Sequence, residues 1–126
     1  MYNTVIDLLR SNDYSVIESF ALPATQPLHG PVPRFLFGSA VGPYLEQSTG
    51  GPHRLWNHQS VALEHLGQGR NVVVSTGTAS GKSLIFRSAA FHKVLSDATT
   101  RILVFYPLKA LAADQLRGWQ RMAEGL

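Results

Sequence analysis

The sequence predicts an α/β fold in which two parallel strands, residues 71–75 and 101–106, are joined by a crossover helix over 82–95. Two observations carry that expectation. Val72-Val73-Val74 and Ile102-Leu103-Val104-Phe105 are short apolar runs of the kind a buried parallel strand requires. Each is followed by a helical stretch, so strand, loop, helix, strand and helix succeed one another as a βαβα unit. A third observation sets the unit apart from what precedes it: Pro23, Pro27, Pro31 and Pro33, with Gly30 among them, forbid a continuous helix and predict an extended connector over 22–34.

Taken in order, residues 4–10 and 14–21 read as two short helices. Val5, Leu8 and Leu9 share one face, and Ser11-Asn12-Asp13 supplies a break and a new cap. Residues 35–47 are apolar and read as helical, against the opposition of Gly38, Gly42 and Pro43. Ser48-Thr49-Gly50-Gly51-Pro52 reads as a loop and as the boundary between a helical and Pro-rich N-terminal extension, 1–50, and a core, 51–126. Asn57 is placed to cap a helix that carries Val61, Ala62, Leu63 and Leu66 and ends at Gly67 or Gly69. The final helix is expected from about Leu108 to Glu124.

Composition narrows the classes. The chain has 126 residues, enough for one domain or part of one, and 44% of them are hydrophobic. Only 15% are charged, which suggests that some surface is meant to be covered by protein. The net charge of +3 divides into −2 for residues 1–53 and +5 for 54–126, so a polyanion is expected at the second part. With no cysteine, disulfides and thiolate metal sites are excluded. No apolar run is long enough to span a bilayer, and the first residues lack the pattern of a signal peptide, so the expected compartment is the cytoplasm, with no membrane partner.

Ser75-Thr76-Gly77-Thr78-Ala79-Ser80-Gly81-Lys82-Ser83 carries the chemistry. Glycines let the backbone curl so that successive amides point at phosphate oxygens, and the start of the next helix adds unpaired N–H groups and a positive dipole end. Lys82 is placed to reach the β- and γ-phosphates of ATP, and the Ser83 hydroxyl to ligate Mg²⁺. The loop departs from the strict Walker A pattern in having Thr76 where a glycine is usual, with the glycine at Gly77. A Gly-rich turn with a surface lysine is the plainer alternative.

With these residues in view, the stretch from about Arg54 onward resembles the superfamily 2 DEAD/DEAH-box helicases, in particular the DNA-helicase branch whose loop reads Ala-Thr-Gly-Thr-Ala-Ser-Gly-Lys-Ser. Three segments appear in family order. Arg54 to Gln59 resembles the adenine-reading Q motif, with Gln59 as its glutamine, and residues 75–83 are motif I. Tyr106 to Leu116 resembles motif Ia, which touches the sugar-phosphate backbone. The resemblance implies a partial RecA-like domain that binds ATP and Mg²⁺ through Gln59, Thr76, Gly77, Thr78, Ala79, Ser80, Gly81, Lys82 and Ser83. It implies nucleic acid, DNA rather than RNA, at Pro107 and Lys109. A glutamine amide offers a donor and an acceptor that match adenine N6 and N7. Leu108 replaces the family threonine of motif Ia, removing one hydroxyl contact. Trp56 either stacks on the base or packs at the helix start; His58 reads as packing or a local hydrogen bond; Gln115, Arg117 and Arg121 read as a solvated helix face.

The family hydrolyses ATP with an Asp-Glu pair that holds Mg²⁺ and orients water. No Asp-Glu pair occurs in these residues, and Asp97 and Asp114 stand elsewhere. The expectation is an ATP- and nucleic-acid-binding portion of a helicase, truncated before the Walker B motif and inactive alone. Its expected partner is the remaining helicase region or a separate subunit. The alternative is a non-catalytic binding subunit or regulator of a helicase complex. A guanine-reading GTPase is disfavoured by the lack of an Asn-Lys-x-Asp motif.

Overall fold

The computed structural model describes residues 27–126. The helices expected at 4–10 and 14–21 lie outside the described residues. Seven elements follow: strand β1 (His29–Gly30), a 3-10 turn (Arg34–Gly38), helix α1 (Val41–Thr49), strand β2 (Leu55–Trp56), and helices α2 (Asn57–Gly67), α3 (Lys82–Ser96) and α4 (Lys109–Gly125).

The sheet corrects the sequence expectation. It is a two-stranded antiparallel ladder of β1 and β2, with His29 opposite Trp56 and Gly30 opposite Leu55. The parallel RecA-like pair expected over 71–75 and 101–106 does not form; both segments run without regular hydrogen-bonded pairing. Local preference is still visible in the first of them. Val72 and Val74 pack toward the core while Val73 is 96% exposed, the alternation of an extended chain. A ladder needs a partner as well as a preference, and an isolated parallel pair is marginal. Here the two segments line a common cavity of about 520 Å³. Phe105 is left 83% exposed and Leu103 79%.

The antiparallel pair arises from the connector instead. Val32 N donates to Pro52 O and Asn57 N to Leu28 O, which extends the pairing beyond the ladder. Gly30 is buried, and a Cβ there would come within 2.6 Å of Ser60 Cβ. Only glycine lets the strand lie this close to α2, where Ser60 Oγ donates to Pro31 O at 2.6 Å.

The core is drawn from both sides of the 50–54 loop, α1 having taken up Ser48 and Thr49 that were expected in it. Leu36, Val41 and Leu45 pack with Leu55, Leu63 and Ile85, and Met122 of α4 joins them. Each fully buried leucine of this group stabilises the fold by roughly 1.5–3 kcal/mol relative to an exposed one. The helical reading of 35–47 resolves into two pieces, the 3-10 turn and α1, separated at Ser39, whose backbone is extended. Helix α4 is fastened by Trp119, which tilts against Phe86 and Phe91 of α3 and donates from Nε1 to the Tyr106 hydroxyl at 3.0 Å. Among the described residues no helix is long and apolar enough to cross a membrane.

Candidate functional site

Residues 75–81 form an exposed loop between the unpaired 71–74 segment and α3. Its curl is made at two residues in the left-handed region, Ala79 with φ 58° and Gly81 with φ 75°. Gly81 is the residue preceding α3, as expected of a glycine at a helix entry. Gly77, by contrast, has open space around it.

The loop folds around the Lys82 ammonium. Lys82 Nζ donates to Thr76 O at 2.8 Å, to Ser80 Oγ at 3.2 Å, to Thr76 Oγ1 at 3.3 Å and to the Gly77 carbonyl. Thr76 Oγ1 and Ser80 Oγ share a hydrogen bond of 2.6 Å that closes the loop across its mouth. The expected residues Thr76, Gly77, Ser80 and Lys82 are thus in mutual contact, with Thr78 and Ala79 at the exposed tip of the turn. Ser83 sits half-buried in the first turn of α3. Leu84 N donates to Gly81 O at 3.1 Å. The amides of the first helical turn otherwise lack intrahelical acceptors, the arrangement that favours an anion.

Gln59 reaches this loop from α2. It is only 4% exposed; its Oε1 accepts from Trp56 N at 3.0 Å and its Nε2 donates to Gly81 O at 3.0 Å. His58, read from sequence as packing or a local bond, makes a long-range one: its Nε2 donates to Ser80 O at 2.9 Å. Nothing in the sequence around His58 signals a partner 22 residues away.

Beside the loop lies a cavity of about 480 Å³ lined by His29, Thr49, Gly50, Arg54, Trp56, Gln59 and Leu84. Trp56 is half exposed and stacks on His29, ring centres 5.2 Å apart and planes 29° apart. His29 was missed by sequence reasoning, since it comes from the Pro-rich connector and meets Trp56 only through the β1–β2 register.

Pro107 and Lys109 are exposed at the start of α4. The 520 Å³ cavity is lined by Lys82 and Ser83 as well as by Tyr106, the residue before Pro107, so the two segments open on a common space. Gln115, expected on a solvated face, lines that same cavity, and its Oε1 is buried without a hydrogen-bond partner among the described residues. Arg117 pairs with Asp114 on the surface of α4. Asp97 lies in the turn after α3, where its carboxylate accepts from the Thr99 hydroxyl and amide; these bonds hold its pKa below the usual value. Among the described residues no group of three His, Asp or Glu side chains gathers as a metal site.

The profile of the DEAD/DEAH box helicase family matches residues 56–126, which include Gln59, the loop and α4. The chain belongs to the DEAD/DEAH box helicase family. Its relatives include the ATP-dependent helicase HRQ1 of Saccharomyces cerevisiae, 43% identical over 65 residues, which are 52% of this chain and 6% of that protein. The uncharacterized ATP-dependent helicase MJ1574 of Methanocaldococcus jannaschii is 48% identical over 62 residues, 49% of this chain and 9% of the relative. An ATP-dependent DNA helicase of Thermoplasma acidophilum is 35% identical over 81 residues, 64% of this chain and 12% of the relative. The aligned stretches are therefore a small fraction of each relative's length. No solved structure matches the chain.

Proposed function

We propose that this chain is the part of a helicase that binds ATP with Mg²⁺ and contacts one nucleic-acid strand. The observation that carries the reading is the loop at the head of α3, where Lys82 Nζ is already held at the centre of a ring of Thr76, Gly77 and Ser80 oxygens. A triphosphate oxygen offers the ammonium a charge-assisted partner in place of these neutral ones, and charge-assisted bonds are roughly twice as strong. The Gly81, Lys82 and Ser83 amides add donors, and Ser83 adds the Mg²⁺ ligand. Bound Mg²⁺ would neutralise charge on the phosphates.

The 480 Å³ cavity is within the size range of small-ligand sites, and it adjoins the loop through Gln59. The base is assigned there, against Trp56 and His29. Gln59 has one Nε2 hydrogen and one Oε1 lone pair beyond those it uses on Gly81 and Trp56, enough for adenine N6 and N7. Pro107 and Lys109 are assigned to the strand backbone. DNA is the preferred strand, in line with the DNA-helicase name of the Thermoplasma relative. With no Asp-Glu pair in these 126 residues, binding and not hydrolysis is assigned to them.

Calorimetric titration with Mg·ATP tests the reading. Saturable binding that Lys82→Ala abolishes is the expected result. Identical heats from the unaltered chain and Lys82→Ala would end the proposal.

A further inference from the structure

The first turn of α2 grips the phosphate loop from outside through two adjacent side chains. His58 Nε2 donates to Ser80 O and Gln59 Nε2 to Gly81 O, at 2.9 and 3.0 Å. In a trans peptide the carbonyl and the following N–H point in opposite directions. A Ser80 carbonyl held toward α2 therefore turns the Gly81 N–H away from it. A Gly81 carbonyl held by Gln59 and by Leu84 N does the same for the Lys82 N–H. These amides are the leading donors of α3, free of helical acceptors and available to an anion.

We propose that His58 is a positioning residue for phosphate binding, its hydrogen bond to the Ser80 carbonyl fixing the direction in which the Gly81 amide meets the ligand. His58 acts through the loop and touches no ligand. It lines neither the 480 Å³ cavity nor the 520 Å³ one, but a third of about 260 Å³ bounded by residues 72–76. A residue placed there sets phosphate affinity without regard to the base. That separates it from Trp56, which faces the base cavity, and from Gln59, which serves both.

The inference rests on the phosphate reading above, and one experiment separates their failures. Mg·ATP and Mg·tripolyphosphate are titrated by calorimetry into the 126-residue chain and its Lys82→Ala, His58→Phe and His58→Gln variants, with thermal unfolding of each. Lys82→Ala should abolish both affinities. His58→Phe keeps an aromatic ring but no donor, and should weaken both ligands by the same factor, about tenfold for the loss of one orienting hydrogen bond. His58→Gln, which keeps an N–H donor, should recover part of that loss. If Lys82→Ala binds as the unaltered chain does, the phosphate reading itself fails. If Lys82→Ala loses binding while folded His58→Phe matches the unaltered chain, or loses ATP but not tripolyphosphate, the positioning role alone is overturned. Should His58→Phe not fold, ring ¹⁵N spectra of the unaltered chain decide: a protonated Nε2 supports the bond to Ser80, and a neutral ring protonated on Nδ1 overturns it.

Discussion

Gln59 Nε2 and the Gly81 carbonyl, 22 residues apart in sequence, are joined by a 3.0 Å hydrogen bond that ties the first turn of α2 to the entry of α3. Because Gln59 Oε1 also accepts from Trp56 N, one buried amide links β2, α2 and the 75–81 loop. A buried amide bonded at both ends has a defined orientation, and leaving either group unpaired costs about 1–3 kcal/mol. Loop shape and the 480 Å³ cavity are thereby coupled through a single side chain.

That coupling makes Gly81 sensitive to a single carbon. Its φ of 75° lies in the left-handed region, and a Cβ there would run into Gln59 Nε2. Gly81→Ala should destabilise the chain by roughly 1–3 kcal/mol in chemical denaturation. It should also weaken Mg·tripolyphosphate more than tenfold, since relief of the clash opens the Gln59 bond. Gly77→Ala is the control. A Cβ added there would meet nothing within 4 Å and its φ is not in the left-handed region, so its unfolding free energy should stay within about 0.5 kcal/mol of the unaltered chain.

The core and the extended segments should respond in opposite ways to loss of side-chain volume. Leu63 is fully buried in the cluster that joins the two sides of the 50–54 loop. Leu63→Ala should cost about 2–5 kcal/mol. Val73 is 96% exposed, so Val73→Ala should change stability by less than about 0.5 kcal/mol. A parallel sheet with both faces covered would bury Val73 and make this substitution expensive. Urea denaturation of the two variants therefore checks the correction to the fold as well as the core.

The contrast between Leu63 and Val73 also marks what could be read from sequence. Helices over 57–67 and 82–96 were legible because apolar spacing is local, although Asn57, expected as a cap, is the first helical residue and Trp56 holds the cap position; α4 came within a residue of its expected bounds. The Val72–Val74 run was read as a parallel strand and is not one, because pairing is a property of two segments and not of one. The β1–β2 ladder escaped notice for the same reason. Two residues show no alternation, and Gly30 becomes intelligible only once Ser60 is seen beneath it. Lys82, Thr76 and Ser80 were singled out by the loop pattern, and the structure brings them into contact. His29 and His58 were not, because each acquires its partner through tertiary contact.

Lys109 offers a test of the strand-contact proposal that is independent of ATP. It is exposed at the first position of α4, where no acidic side chain occupies the first turn. If it pairs with one phosphate, Lys109→Ala should weaken single-stranded DNA and lower the slope of log affinity against log salt by somewhat under one. Arg117, already paired with Asp114, should matter less when replaced by alanine. Fluorescence anisotropy across a salt series measures both. An unchanged slope for Lys109→Ala would remove it from the interface.

His92 sets an expected pH dependence of stability. Its Nδ1 shares a 3.0 Å hydrogen bond with Ser39 Oγ, and its ring meets Phe35 edge to face, so it pins the turn before α1 to α3. Burial, and then the neighbouring Lys93 charge, lowers its pKa from the usual value of about 6.5. A proton is therefore bound more readily by the unfolded chain than by the folded one, and stability rises with pH wherever that difference holds. The contribution is present in full above the unfolded value and is lost as pH falls through the lowered folded value. Thermal unfolding followed between pH 8 and pH 5, bounds set by that usual histidine value of about 6.5, should show a midpoint that declines below it. His92→Gln, which cannot titrate, should remove the part of the decline that His92 contributes. A decline of equal size in the variant would assign the pH dependence to other groups.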